Sequence, residues 1–113
     1  MIVKGNSMSM TRGDSESFTV SYTDALGVNI PLVVGDTIYF TVKENITTLV
    51  KILQKIITEF DSGTAVVEID HIDTEAILYG NYYYDVQLTT AAGKVKTIII
   101  PSKFSITGEI TYE

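Results

Sequence analysis

Apolar and polar residues alternate in register over much of the chain. In residues 16–22, ESFTVSY, Phe18, Val20 and Tyr22 share one face and Ser17, Thr19 and Ser21 the other. Residues 36–44, DTIYFTVKE, repeat the pattern, with Ile38, Phe40 and Val42 facing in and Tyr39, Thr41 and Lys43 facing out. Residues 64–70 place Ala65, Val67 and Ile69 on an inner face. In NYYYDVQLTT, Tyr82, Tyr84, Val86 and Leu88 lie on one side and Tyr83, Asp85, Gln87 and Thr89 on the other. A period of two is the mark of a half-buried strand. The tyrosines of the inner set are therefore read as core, with each hydroxyl needing a partner.

Between these strands stand turn residues. Residues 23–35 carry Asp-Ala-Leu-Gly and a proline and read as a turn and crossing segment, with Ile30 and Leu32 directed inward. Residues 45–48 form a polar break, Gly80-Asn81 leads into the tyrosine strand, and Ala91-Ala92-Gly93 makes a hairpin-like connection. A long strand over residues 94–100 is interrupted at Pro101, because proline donates nothing to a ladder. Residues 103–106 and 109–112 supply the last extended pieces. One helical turn is expected near 73–78, capped by Asp73. Residues 1–10 read as a loose or extended arm, leaving 11–113 as one domain.

Residues 49–60, LVKILQKIITEF, fit two templates. Leu49, Ile52, Leu53, Ile56, Ile57 and Phe60 have helical spacing. The β-branched content, and Asp61-Ser62-Gly63 as a hairpin turn into the next strand, favour a strand with a bulge, which is the reading adopted. Short strands joined by Gly, Asp and Asn turns predict an all-β sandwich or barrel.

Composition narrows the function classes. At 113 residues and 45% hydrophobic content, the chain has material for a single core. The net charge of −6, with only 8 Lys and Arg, lacks the basic stripe of a nucleic-acid binder and disfavours anionic membrane surfaces. No apolar run is long enough to span a bilayer, and no secretory leader is expected. With no cysteine there is no disulfide or thiolate metal site.

Chemistry-bearing motifs are sparse. Arg12-Gly13-Asp14 is ordinary turn chemistry before it is an integrin ligand. Asn45-Ile46-Thr47 matches a glycosylation sequon that has no secretory route. His71, the sole histidine, sits among Asp70, Asp73 and Glu75 but lacks a nucleophile or a metal-ligand spacing and reads as a surface residue. No glycine pattern forms a phosphate loop. Neither an enzymatic activity, a cofactor nor a metal is expected. The outward residues Tyr39, Tyr83 and Gln87 are the candidate interaction surface. Tyrosine beside amide side chains suits either stacking on sugars or packing against a neighbouring subunit.

The order of segments carries a resemblance. TRGDSESFTVSY is followed by GDTIYFTVKENI, ILQKIITEFDSGTAVVEID and DTEAILYGNYYYDVQLTTAAGKVKTIIIPSKFSITGEIT. This succession resembles the Ig-like N-terminal domain of baseplate upper proteins, and related small tail proteins, of phages and prophages of Gram-positive bacteria, over about residues 10–113. The resemblance implies an Ig-like antiparallel β-sandwich of seven to eight strands. It implies a non-enzymatic structural part of a tail or baseplate that contacts other tail proteins and forms a homo-oligomer. Its place would be the virion, or the host cytoplasm during assembly if prophage-encoded. The family domain often heads a longer chain with a host-binding region. A stand-alone domain therefore points to a small structural protein. The alternative is a carbohydrate-binding module contacting host cell-wall glycan.

Overall fold

The structure is a computed structural model and describes residues 1–108, with residues 2 and 4 described in backbone alone. The strand expected over 109–112 lies outside the described residues. Ten strands form in the order β1 (Ile2–Lys4), β2 (Ser7–Thr11), β3 (Glu16–Val20), β4 (Tyr22–Thr23), β5 (Asn29–Ile30), β6 (Thr37–Lys43), β7 (Leu53–Ile57) and β8 (Ala65–Ile69). One turn of helix, α1 (His71–Thr74), precedes β9 (Gly80–Thr89) and β10 (Val95–Thr107). The fold is all-β.

A six-stranded sheet has the order β1-β2-β10-β9-β6-β7, and β3 pairs with β8 in a second layer. In immunoglobulin lettering, β10-β9-β6 are strands G, F and C, β7 extends them as C′, and β3-β8 are B and E. Between the layers lie Ile38, Phe40 and Val42 of β6, Tyr84, Val86 and Leu88 of β9, and Ala65, Val67 and Ile69 of β8. The inward residues of the alternating segments thus form the core.

Four aromatic rings occupy its centre. Phe40 meets Phe18 across the layers at 5.3 Å, edge-on, and touches Tyr84 at 5.6 Å and Phe104 at 6.0 Å. Antibody domains place a disulfide and a tryptophan at this level. This chain has neither Cys nor Trp, and the ring cluster fills the space. The hydroxyls of the two inward tyrosines find carbonyls: Tyr84 donates to Asn6, and Tyr82 donates to Leu78 at 2.6 Å. The second bond, from the start of strand F back to the preceding corner, is the tyrosine corner of Ig-like sandwiches.

Several details differ from the expected arrangement. Among the described residues the strands number ten, because the first ten residues and the segment 22–30 contribute short pairs. Residues 1–10 are extended, as a hairpin that adds β2 to the sheet edge and buries Met8 and Met10. β2 runs parallel to β10, so the sandwich is not wholly antiparallel. Their partners come from opposite ends of the sequence, which no tight hairpin can join. Ile30 is exposed whereas Leu32 is buried; in the two-residue pair β4–β5 it is Ile30's partner Tyr22 that packs on the core.

The helical turn starts at His71, two residues before the expected position. Asp70 is its N-cap, and Asp73 sits at the third position, accepting from the Asp70 N–H at 2.7 Å. Of residues 49–60 only 53–57 are strand, and they pair with β6 in an unbroken register without the expected bulge, because residues 49–52 belong to the loop that follows β6. Asp61-Ser62-Gly63 then turns the chain, with positive φ at Ser62 (52°) and Gly63 (78°), as a type I′ turn requires. β10 is continuous through Pro101 but bulged on either side of Ile99.

Candidate functional site

The outer face of the larger sheet carries the alternate residues that the core leaves over. Register arranges them in rows across the strands. Tyr39 of β6 stands opposite Gln87 of β9 and Ile56 of β7. In the next row Thr41 lies between Gln54 of β7 and Asp85 of β9, and Gln54 Nε2 donates to Thr41 Oγ1 at 3.0 Å. In the row beyond, Tyr83 is flanked by Lys43 of β6 and Lys103 of β10. The three residues anticipated as an interaction surface, Tyr39, Tyr83 and Gln87, thus share this face and line one groove of about 390 Å³.

Two irregular segments raise the groove walls. On one side is the loop over residues 44–52. Asn45 Oδ1 holds its first turn, accepting from Thr47 N–H at 3.1 Å and Thr48 N–H at 2.9 Å. The loop directs Ile46 and Lys51 to the groove, and Lys51 Nζ donates to Gln54 Oε1 at 3.4 Å. On the other side, Ile100 and Pro101 of β10 together oppose the single residue Asp85, a bulge that sets Pro101 on the rim. Val95 and Thr89 close the far end.

Asp85 is half-buried in the groove floor. Desolvation pushes its carboxyl pKa above the ordinary 3.8, and the nearby Lys43 charge works in the opposite direction. The groove's described lining contains this one carboxylate and no serine, cysteine or histidine. The lining offers rings for stacking, amides and hydroxyls for hydrogen bonding, and lysines for charge.

The motifs of the sequence fall elsewhere. Arg12-Gly13-Asp14 is the turn from β2 to β3. The Arg12 guanidinium lies over the Tyr79 ring at 4.3 Å, and the Gly13 N–H donates to Thr74 Oγ1 at 2.8 Å. Thr74 is fully buried, so the tripeptide clamps the N-terminal strands to α1. Asp73 is engaged by Lys55 Nζ at 2.8 Å. His71 is exposed on α1, with Nδ1 2.9 Å from Glu75 Oε1. Among the described residues no group of three His, Asp or Glu side chains converges on a point.

Sequence reasoning did not single out Thr41, Gln54 and Asp85 as groove floor, nor Lys43, Lys51 and Pro101 as its wall. The alternation puts Thr41, Lys43 and Asp85 on the outer face. Only the register between strands brings them together with Gln54.

A second surface lies at one end of the sandwich, where residues 24–36 meet the β9–β10 turn. The Asp36 carboxylate bridges the two loops, accepting from Val33 N–H at 3.0 Å and from Ala91 N–H at 3.1 Å. Gly35 has φ 98°, and a Cβ there would stand 2.8 Å from the Ala91 side chain. Only glycine allows this approach. The Leu32 N–H donates to the Gly63 carbonyl at 2.9 Å, tying in the turn before β8. This braced end presents Val34 at 95% exposure and Leu26 at 88%, with Val28 and Val33 beside them in sequence. The amino-acid sequence matches no family model, and no curated protein matches it.

Proposed function

We propose that this protein is a non-enzymatic structural component of a phage or prophage tail or baseplate, acting through protein–protein contacts and assembling as a homo-oligomer. The tail assignment is supported by the ordered resemblance over residues 10–113. The contact role is supported above all by the loop end of the sandwich. Leu26, Val28, Val33 and Val34 are aliphatic side chains held in water by hydrogen-bonded turns: Asp24 accepts from the Leu26 and Val28 N–H groups, and Asp36 from the Val33 and Ala91 N–H groups. Exposed apolar groups on a braced frame suit burial against another protein, because little ordering is lost on binding. Strands β1 and β7, the two edges of the larger sheet among the described residues, are where a neighbouring chain could add a strand.

Two measurements test the reading. Sedimentation velocity over a wide concentration range is expected to show self-association that the double variant Leu26→Asp/Val34→Asp abolishes without loss of fold. A wild-type protein that stays monomeric at every concentration would remove the oligomer. Immunogold labelling of virions is expected to mark the tail. Particles whose tails carry no label would remove the assignment itself.

A further inference from the structure

The groove on the outer face of the larger sheet has a chemistry that selects among ligand classes. Beneath it, β6 and β9 are paired on both sides, so an extended peptide finds no free ladder to join. Recognition must come from side chains. Tyr39 and Tyr83 mark two levels of the groove: the residue facing Tyr39 is Gln87, four positions along β9 from Tyr83. With strand geometry this sets the two tyrosine Cα atoms ~14 Å apart. Between them lies the polar row Gln54–Thr41–Asp85. Aromatic faces separated by amide, hydroxyl and carboxylate groups complement a chain whose rings have apolar C–H faces and hydroxyl edges. A carbohydrate has that form.

Charge adds a second constraint. The protein as a whole carries −6, yet Lys43 and Lys103 flank Tyr83 and Lys51 reaches the same groove from its loop. Two of the chain's 8 basic residues, Lys43 and Lys51, thus line one end, with Lys103 next to Tyr83 just beyond the lining, against the single carboxylate of Asp85. That end favours a negative substituent. Cleavage of a glycosidic bond normally uses two carboxyl groups, and the described lining supplies one. The arrangement is therefore one for holding a glycan.

We propose that this groove binds a short acidic oligosaccharide, with sugar faces on Tyr39 and Tyr83, hydroxyls on Gln54, Asp85 and Gln87, and the anionic group at Lys43, Lys51 and Lys103. The lysine-flanked end of the groove, at the Lys43–Tyr83–Lys103 row, lies opposite the end that Thr89 and Val95 close beside the β9–β10 turn, and the proposal does not depend on the tail assignment.

The experiment is a glycan array of matched neutral and uronate-, sialate- or phosphate-bearing oligosaccharides, probed with the folded protein. Bound spots are followed by titration of tyrosine fluorescence. Acidic spots should bind and their neutral counterparts should not. Tyr83→Ala should weaken binding roughly tenfold, whereas Tyr83→Phe, which keeps the ring face, should not. Lys103→Ala alters an exposed side chain and should weaken the acidic glycan alone, with added salt doing the same. An array without any bound spot overturns the proposal. So does binding unchanged by both Tyr83→Ala and Lys103→Ala, and equal binding of neutral and acidic spots overturns the charged end.

Discussion

Replacing Asp36 probes the brace that holds the loop end in place. Its carboxylate is buried and serves two backbone donors, Val33 N–H at 3.0 Å and Ala91 N–H at 3.1 Å. A hydrogen bond to a charged group contributes about 1.5–3 kcal/mol, so the pair sets an upper bound of roughly 3–6 kcal/mol. Both donors lie in loops that water reaches once the carboxylate is gone, which returns about half of that bound. Asp36→Ala should therefore cost about 1.5–3 kcal/mol, a substantial share of the ~5–15 kcal/mol of a typical domain. Asn is the sharper test, because it keeps the shape but not the acceptors. Its amide has one acceptor oxygen, so its NH₂ must face one of the two N–H donors. Asp36→Asn should be about as harmful as alanine. Urea titration should show a midpoint lower by roughly 1–2 M at an unchanged slope. Hydrogen exchange should show Ala91 N–H losing protection first. An asparagine variant within about 0.5 kcal/mol of wild type would refute the assignment of both bonds to the carboxylate.

Other substitutions test the core and the corners. Phe40→Ala removes a fully buried ring with three aromatic neighbours and should cost about 3–5 kcal/mol in denaturant titration, leaving the chain marginal. Thr74→Val should cost about 1–3 kcal/mol by stranding the Gly13 N–H, while Thr74→Ser should restore most of the loss. Tyr82→Phe, which deletes only the bond to Leu78, should cost about 0.5–1.5 kcal/mol by the same assay. Asp85 binds its proton more tightly folded than unfolded. Its ionisation therefore destabilises, and stability falls as pH rises from the ordinary 3.8 through the higher folded value. Asp85→Asn should flatten the urea midpoint against pH in that window and raise it at neutral pH.

Local alternation made most of the interior legible. The inner sets Ile38/Phe40/Val42, Ala65/Val67/Ile69 and Tyr84/Val86/Leu88 all lie in the core, because a half-buried strand has one possible phase. Residues 53–57 form a strand despite their helical spacing, since β-branched side chains and the Ser62-Gly63 turn outweigh it. What escaped depends on distant partners. The segment SMSM alternates too, but burial of Met8 and Met10 rests on pairing with β10 at the other end of the sequence. Ile30 matches Leu32 in parity, yet in the pair β4–β5 Tyr22 packs on the core and Ile30 is left in water. For the groove, Tyr39, Tyr83 and Gln87 were visible as leftovers of the inner pattern. The loop wall at residues 44–52 and the bulge at Pro101 have no period to read.

The parallel pairing of β2 with β10 has a consequence for synthesis. The Thr107 hydroxyl donates to the Met10 carbonyl across 97 residues of sequence. Until β10 has left the ribosome, Met8 and Met10 have no larger sheet to enter, and β2 waits in water while the intervening strands are made. Closing such a contact last makes for slow completion. Meanwhile the waiting strand can dock on the β10 of a second nascent chain, so two molecules made side by side on one message can exchange their leading strands.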